Sequence, residues 1–275
     1  MSGSTYLGKI DSVAIGAFDG MHRGHQALFQ KLSLNGAVAV IDKGYAVLTP
    51  GYERCIHTSY PCYFFPLQKI RHLDAKGFLD LLQKRFPSLQ RVVVGYDFAF
   101  GKDRKYGIDD LEKLFHGEVI VVEEVQIDGI AVHSRTIKEL LRHGDIRMAN
   151  RMLGRTYSIA GSVQKGLGLG KKKLVATLNL KIKDFLLPKE GVYATWSGLG
   201  GEIFPSVTFI GKRESVDGSF SIETHIIDKK IDYPVEAVRI YFVQFLRENR
   251  KFDSFTSLKR QIESDIRMAK EIVCV

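Results

Sequence analysis

Three groups of residues in this sequence have the types and spacing to do chemistry. The first lies in residues 15–29, IGAFDGMHRGHQALF, where Gly16, Gly20 and Gly24 are interleaved with Phe18, Asp19, His22 and His25. Glycines in such a run let backbone approach a ligand closely and adopt positive φ. The apolar stretch before them reads as a strand and the pattern after them as a helix. A helix start offers unpaired N–H groups and the positive end of its dipole to a phosphate. The ring N–H groups of His22 and His25 reach the same place. Oriented donors of this kind stabilise charge that spreads over a phosphoryl group in a transition state. An i, i+3 histidine pair equally suits a metal pair or two surface histidines, so the pair alone leaves these readings open. The whole string GxFDGxHxGH is far more specific.

The second group lies in residues 160–180, AGSVQKGLGLGKKKLVATLNL. Gly161, Gly166, Gly168 and Gly170 follow a strand and precede three lysines, a composition that suits either a phosphate-covering loop or a glycine turn with solvated lysines. Thr177 and Asn179 are two apart, so on an extended strand they face one side. Their oxygens suit Mg²⁺ and nucleotide phosphate, because hard cations take oxygen ligands. A solvent-facing pair on an edge strand is the alternative. The third is Glu223 in SIETHIID, residues 221–228. Alternation puts Ile222 and Thr224 on one face and Glu223 with His225 on the other. A carboxylate beside a substrate hydroxyl accepts its proton during attack on phosphorus, although an isolated Glu in this pattern more simply faces solvent.

These groups need elements to position them, and the chain supplies two kinds. In the first half, apolar runs at 13–18, 36–42, 91–95 and 119–125 alternate with helical patterns at 24–34, 76–86, 109–116, 134–143 and 145–153. Strands alternating with helices imply a parallel sheet covered on both faces. Residues 45–65, rich in Tyr, Pro and Cys, show no clean period. Near Thr156 the helical spacing stops. Short β-rich runs follow at 157–163, 192–197, 206–210, 220–227 and 238–245, separated by glycine turns. They read as an antiparallel barrel or sandwich. A last helix over 255–269 has Phe255, Leu258, Ile262 and Ile266 on one face, which can pack across the barrel. The expected division is 1–155 and 156–275.

Composition narrows the classes. With 275 residues, 45% hydrophobic and 26% charged, the chain is globular and long enough for one large or two ordinary domains. Forty Lys and Arg against 31 Asp and Glu suit phosphorylated anions as well as nucleic acid. The sequence has no arginine-rich tract and no aromatic–basic alternation, so nucleic acid is not an expected partner. Its three cysteines, Cys55, Cys62 and Cys274, form no CxxC and read as free thiols. The amino-terminal residues lack a signal-peptide apolar core. No apolar run approaches the roughly 20 residues that span a bilayer. A cytoplasmic protein without membrane contact is expected.

Taken together, the motifs resemble those of the bacterial bifunctional riboflavin kinase/FAD synthetases. GAFDGMHRGH is similar to the signature of the synthetase half, VVVGYDFAFGKDRKYG (92–107) to its VVGxDFxFGxxRxG loop, and residues 131–157 to a segment ending in LGRxY. Residues 160–180 resemble the kinase motif GxVxxGxxxGRxxGxPTAN, and residues 221–228 the family's IExHxxD. The resemblance implies a doubly wound α/β FMN adenylyltransferase domain followed by an antiparallel β-barrel riboflavin kinase domain with a terminal helix. It implies ATP, riboflavin, FMN and FAD as substrates and products, and Mg²⁺ as cofactor. His22 and His25 would contact ATP phosphates within the Gly16, Phe18, Asp19, Gly20 and Gly24 loop. Asp97 and Phe98 would lie near FMN, and Ser134 near the triphosphate. Gly161, Gly166 and Gly170 would shape the kinase loop, Thr177 and Asn179 would hold the metal, Glu223 would be the base, and Arg247 would belong to a flap over the flavin. The chain departs from the family where SSTRIR is replaced by His133-Ser134-Arg135-Thr136-Ile137-Lys138, and where Lys171 replaces an arginine. The rival expectations are a riboflavin kinase with an inactive first domain, a non-catalytic flavin- or nucleotide-binding regulator, and an adenylyltransferase acting on a different phosphate.

Overall fold

The computed structural model describes residues 7–164, 175–215, 217–231 and 234–274. The chain forms two compact units, Met1–Thr136 and Ile137–Val275.

The first unit is built on five parallel strands: β1 (Ser12–Gly16), β2 (Gly36–Asp42), β3 (Cys62–Pro66), β4 (Arg91–Gly95) and β5 (Glu118–Val122), in the order β3-β2-β1-β4-β5. The near-continuous apolar runs SVAIG, GAVAVID and RVVVG suit strands buried on both faces. Alternate residues do enter two separate cores. Val13, Ile15, Ala37, Val92 and Val94 pack with Phe78, Leu82 and Phe86, from the helix over Ala75–Arg85 and its C-cap. Ala14, Val38, Val40 and Val93 pack with Phe18, Met21, Leu28 and Phe29. The described helices of this unit begin with α1 (Arg23–Phe29), α2 (Leu67–Ile70), α3 (Ala75–Arg85) and α4 (Ile108–Leu114). A short hairpin, β6 (Gln126–Ile127) with β7 (Ile130–Ala131), leads into α5 (Ser134–His143).

Three differences from the sequence reading have local causes. The strand expected over 13–18 stops at Gly16, because Phe18 turns the chain with φ 54°. The helix expected over 24–34 spans only Arg23–Phe29. It closes in i to i+3 bonds (Lys31 N–H to Leu28 O, Leu32 N–H to Phe29 O), after which Ser33 is captured by Ser12 and Asp11. Residues 45–65, which had no clean period, hold a 3-10 helix (Gly51–His57) and the edge strand β3.

The second unit is a closed antiparallel barrel of β8 (Tyr157–Gln164), β9 (Leu178–Ile182), β10 (Gly191–Leu199), β11 (Glu202–Lys212), β12 (Phe220–Ile226) and β13 (Ala237–Arg247), in the order β10-β11-β12-β9-β8-β13. The break in contacts at Thr136/Ile137 falls in the first turn of α5, and the rest of α5 with α6 (Ile146–Leu153) precedes the change of periodicity near residue 155. Past Thr136 these helices belong with the barrel: Asn150 donates to Phe242 O and accepts from Tyr157 N–H, and Lys189 N–H donates to Leu141 O.

Helix α7 (Phe255–Val273) packs Ile266, Ala269, Ile272 and Val273 on Val192, Ala194, Val207 and Phe209 outside the barrel. The opposite residues of the same strands face inward. There five fully buried hydroxyls meet: Ser197 to Ser206 at 2.8 Å, Ser206 to Thr195 at 2.8 Å, Thr195 to Thr208 at 2.8 Å, Thr208 to Thr224 at 3.1 Å and Thr224 to Ser197 at 3.1 Å.

Candidate active sites

The α/β unit has its cavity where strand order reverses. β1 pairs with β2 on one side and β4 on the other, and ligands of doubly wound sheets bind beyond the strand ends at such a switch point. The cavity, about 380 Å³, is lined by Gly16, Phe18, Asp19, His22, Gly24, His25, Asp97, Phe98 and Ser134, among others. Of the expected residues of this site only Gly20 is absent from the lining.

The loop itself is strained. Positive φ was expected at Gly16, Gly20 and Gly24, but of these only Gly20 has it, at 96°, and Phe18 (54°) and Met21 (43°) adopt it instead. Non-glycine residues in that region cost on the order of 1–3 kcal/mol each and persist only when their surroundings hold them. Gly16 and Gly24 sit in tight places: a Cβ at Gly16 would lie 3.1 Å from the Phe18 ring, and one at Gly24 3.2 Å from the His22 ring, so either ring would have to give way. His22, 5% exposed, caps α1, and its Nδ1 accepts from His25 N–H at 3.4 Å. That acceptor role leaves the proton of a neutral His22 ring on Nε2. The two imidazoles stack at 3.5 Å, and His25 meets the edge of Phe18 at 5.1 Å.

Ser134 donates its hydroxyl to Asp19 O at 2.6 Å, so here it braces the loop. Phe98 stacks on Phe100 at 5.4 Å. Beside them lies a trio that motif reading passed over: Tyr96 donates to Glu124 at 2.7 Å and lies 3.2 Å from His133 Nε2. The Glu124 bond pushes the Tyr96 phenol up to about 12 and, with Gln126 and His133, holds the Glu124 carboxyl below its ordinary range.

In the barrel unit a cavity of about 160 Å³ lies between the outer face of the sheet and α7, lined by Thr177, Phe209, Arg213, Glu223, His225 and Arg247, among others. Glu223 stands opposite Phe209 on one neighbouring strand and Asn179 on the other, so all three share a face. Thr177 Oγ1 donates to Glu223 Oε2 at 3.1 Å, and Arg213 Nη1 lies 3.7 Å from Oε1. Ile222 and Thr224 are buried on the opposite side, as alternation required.

Thr177 and Glu223 line the cavity with a hydroxyl and a carboxylate, and Asn179, outside that lining, adds an amide oxygen opposite Glu223 on the same face. That set fits a hard cation that keeps waters and phosphate oxygens in its shell. Among the described residues no three His, Cys, Asp or Glu side chains cluster as a metal cage.

Arg247 lines the cavity, but its guanidinium is held in a fork by Asp265 of α7, Nε to Oδ1 at 2.9 Å and Nη2 to Oδ2 at 2.7 Å. Gln261 completes the Asp265 shell at 2.8 Å. Gly161 is absent from the cavity lining and packs strand on strand, where a Cβ would meet Ile182 at 2.4 Å. Gly166 and Gly170 lie outside the described residues.

The chain thus carries a switch-point cavity in one unit and a hydroxyl–carboxylate cavity on a barrel in the other. Comparisons with known proteins give the family. A model described as FAD synthetase matches residues 8–43, and one described as riboflavin kinase matches residues 153–273. A bifunctional riboflavin kinase/FMN adenylyltransferase of Pseudomonas fluorescens is 30% identical, covering 94% of this chain and 91% of its own. One of Listeria monocytogenes is 28% identical, over 92% and 89%. A crystal structure described as a macrolide-efflux protein from Streptococcus pneumoniae matches at TM-score 0.83 and 26% identity, covering 95% of this chain and 94% of that one. The chain belongs to the bifunctional riboflavin kinase/FMN adenylyltransferase family. No helix among the described residues is long and apolar enough to cross a membrane.

Proposed function

We propose that the barrel unit phosphorylates riboflavin to FMN and that the α/β unit adenylylates FMN to FAD, each step using one ATP, in the cytoplasm. The observation that carries this reading is the placement of Glu223, hydrogen-bonded to Thr177 and directly opposite Asn179 on the lining of a cavity that α7 closes. Glu223 accepts the proton of the riboflavin 5′-hydroxyl as its oxygen attacks the γ-phosphorus of ATP, and ADP leaves. Phe209 and the apolar residues of α7 offer the flavin ring an apolar surface. Thr177 and Asn179 would hold Mg²⁺, which when bound neutralises phosphate charge.

In the α/β unit no side-chain nucleophile is required. A phosphate oxygen of FMN attacks the α-phosphorus of ATP, and pyrophosphate leaves. His22 and His25 donate hydrogen bonds to the phosphoryl oxygens on which charge builds. Asp97 and Phe98 border the FMN side of the cavity.

A time course of riboflavin with Mg–ATP, with flavins separated by chromatography, tests both steps. FMN followed by FAD is expected. FMN alone would remove the adenylyl step, and absence of both products would leave a binding protein.

A further inference from the structure

Residues 45–65 carry no recognisable motif, yet they grip the strained loop of the α/β cavity at four atoms. Leu48 N–H and Thr49 N–H both donate to Asp19 Oδ1, at 2.9 and 3.2 Å. Gly20 N–H donates to Thr49 Oγ1 at 2.7 Å, and Thr49 Oγ1 lies 3.4 Å from Phe18 O. Arg54 donates Nη1 to Ala17 O at 3.1 Å, Nη2 to Asp42 at 2.9 Å at the end of β2, and Nε to Gly51 O at 3.1 Å. Its guanidinium also lies 5.2 Å from the centre of the Phe64 ring on β3. Arg54 is 2% exposed and Thr49 1%. A fully charged side chain is rarely so deeply buried unless each face of it is engaged.

We infer that residues 48–54 form a strap that sets the geometry of adenylyl transfer, with Arg54 and Thr49 as positioning residues acting through the loop that carries His22 and His25. Neither residue lines the cavity; both touch the backbone of residues that do. Phe18 and Met21 hold positive φ on either side of Gly20, so this loop has a lower-strain alternative to relax into. The strap removes that alternative. Loosening it leaves binding groups in place and misaligns the donors around the α-phosphorus, which lowers turnover more than affinity.

The inference rests on the reading of this cavity as the adenylyl-transfer site. The test measures FAD formation from FMN and ATP, and FMN formation from riboflavin, in the full-length R54M, R54K and T49V proteins. Expected results are a fall in kcat of roughly 100-fold for R54M, about tenfold for T49V, and an intermediate loss for R54K, each with the KM for ATP within about twofold. Riboflavin phosphorylation should be unchanged in all three. A parallel rise in KM, or a T49V protein with wild-type kcat, overturns the inference. If R54M fails to fold, T49V decides. If the wild-type protein makes FMN but no FAD, the adenylyl reading fails, and amide exchange then decides the strap. Faster exchange at Gly20 in T49V sustains it, and unchanged exchange rejects it.

Discussion

The two cavities are held in shape by different means. In the α/β unit the histidines proposed to bind phosphate stand at a loop with Phe18, Gly20 and Met21 at positive φ, kept there by hydrogen bonds from residues about 30 positions away in sequence. In the barrel unit Glu223, Asn179 and Phe209 stand on neighbouring strands in fixed register, and their placement follows from the sheet. A loop site depends on support from distant residues, whereas a ladder site carries its support in its own backbone pairing. Substitutions that leave the reacting groups untouched should therefore harm the first site and spare the second.

The largest contrast should come from the reacting groups. Glu223→Gln keeps size and the Thr177 contact while removing the proposed base. It should lower FMN formation by about 10²–10⁴-fold and leave FMN-to-FAD conversion intact in the same sample. His22→Ala should do the reverse, lowering FAD formation by roughly 10²–10³-fold with riboflavin phosphorylation unchanged. If either variant lost both activities, the two sites would not be independent.

Next in size is the clamp on the barrel. Asp265→Ala leaves the largely buried Arg247 guanidinium without its fork. It should destabilise that unit by about 3–5 kcal/mol, seen as a lower midpoint in urea by tryptophan fluorescence, since Trp196 is the one tryptophan of the chain.

The smallest effect should be a pH dependence confined to the strap. Burial opposes ionisation of Asp42, but the hydrogen bonds from Arg54 and Gly44 and the Arg54 charge outweigh it and hold the carboxyl below its ordinary range. A depressed folded value means that the contribution is complete above the unfolded value, about 4, and is lost as pH falls through the folded value. Thermal melts of wild type and Asp42→Asn should therefore differ at neutral pH and converge below about pH 4. Curves that stay parallel would exclude the linkage.

What the sequence revealed follows from the same distinction. β1, β2 and β4 were legible because strands buried on both faces must be apolar throughout, and the alternation at Ile222–Glu223–Thr224 named the correct faces. β3 was not legible, because an edge strand of the sequence CYFFP follows one proline, ends in another and has neither signature. Arg54 was invisible for another reason: its partners Asp42 and Ala17 are 12 and 37 residues away, and no local period links them. Arg247 was expected in a flap over the flavin; it lines the barrel-unit cavity, and its bond to Asp265 is a pairing between a strand end and a helix that no motif states. Thr195, Ser197, Ser206 and Thr208 are polar residues on strands, which sequence habit turns outward, and they face the barrel interior.

Those interior hydroxyls have a further consequence. The five contacts close on themselves, Ser197 to Ser206 to Thr195 to Thr208 to Thr224 and back to Ser197. In a closed circuit every oxygen can give one proton and receive one, so no member is an end. Removing one hydroxyl opens the circuit into a chain, and the cost depends on whether the donor left behind has a second acceptor. Thr195 can turn to Ser206 O at 3.2 Å and Thr224 to Val207 O at 3.4 Å, whereas Ser197 and Ser206 have no such bond. Loss of the Thr208 hydroxyl, which strands only Thr195, should then cost less than loss of the Ser206 hydroxyl, which strands Ser197. A second substitution beside the first should take away much less than the first did.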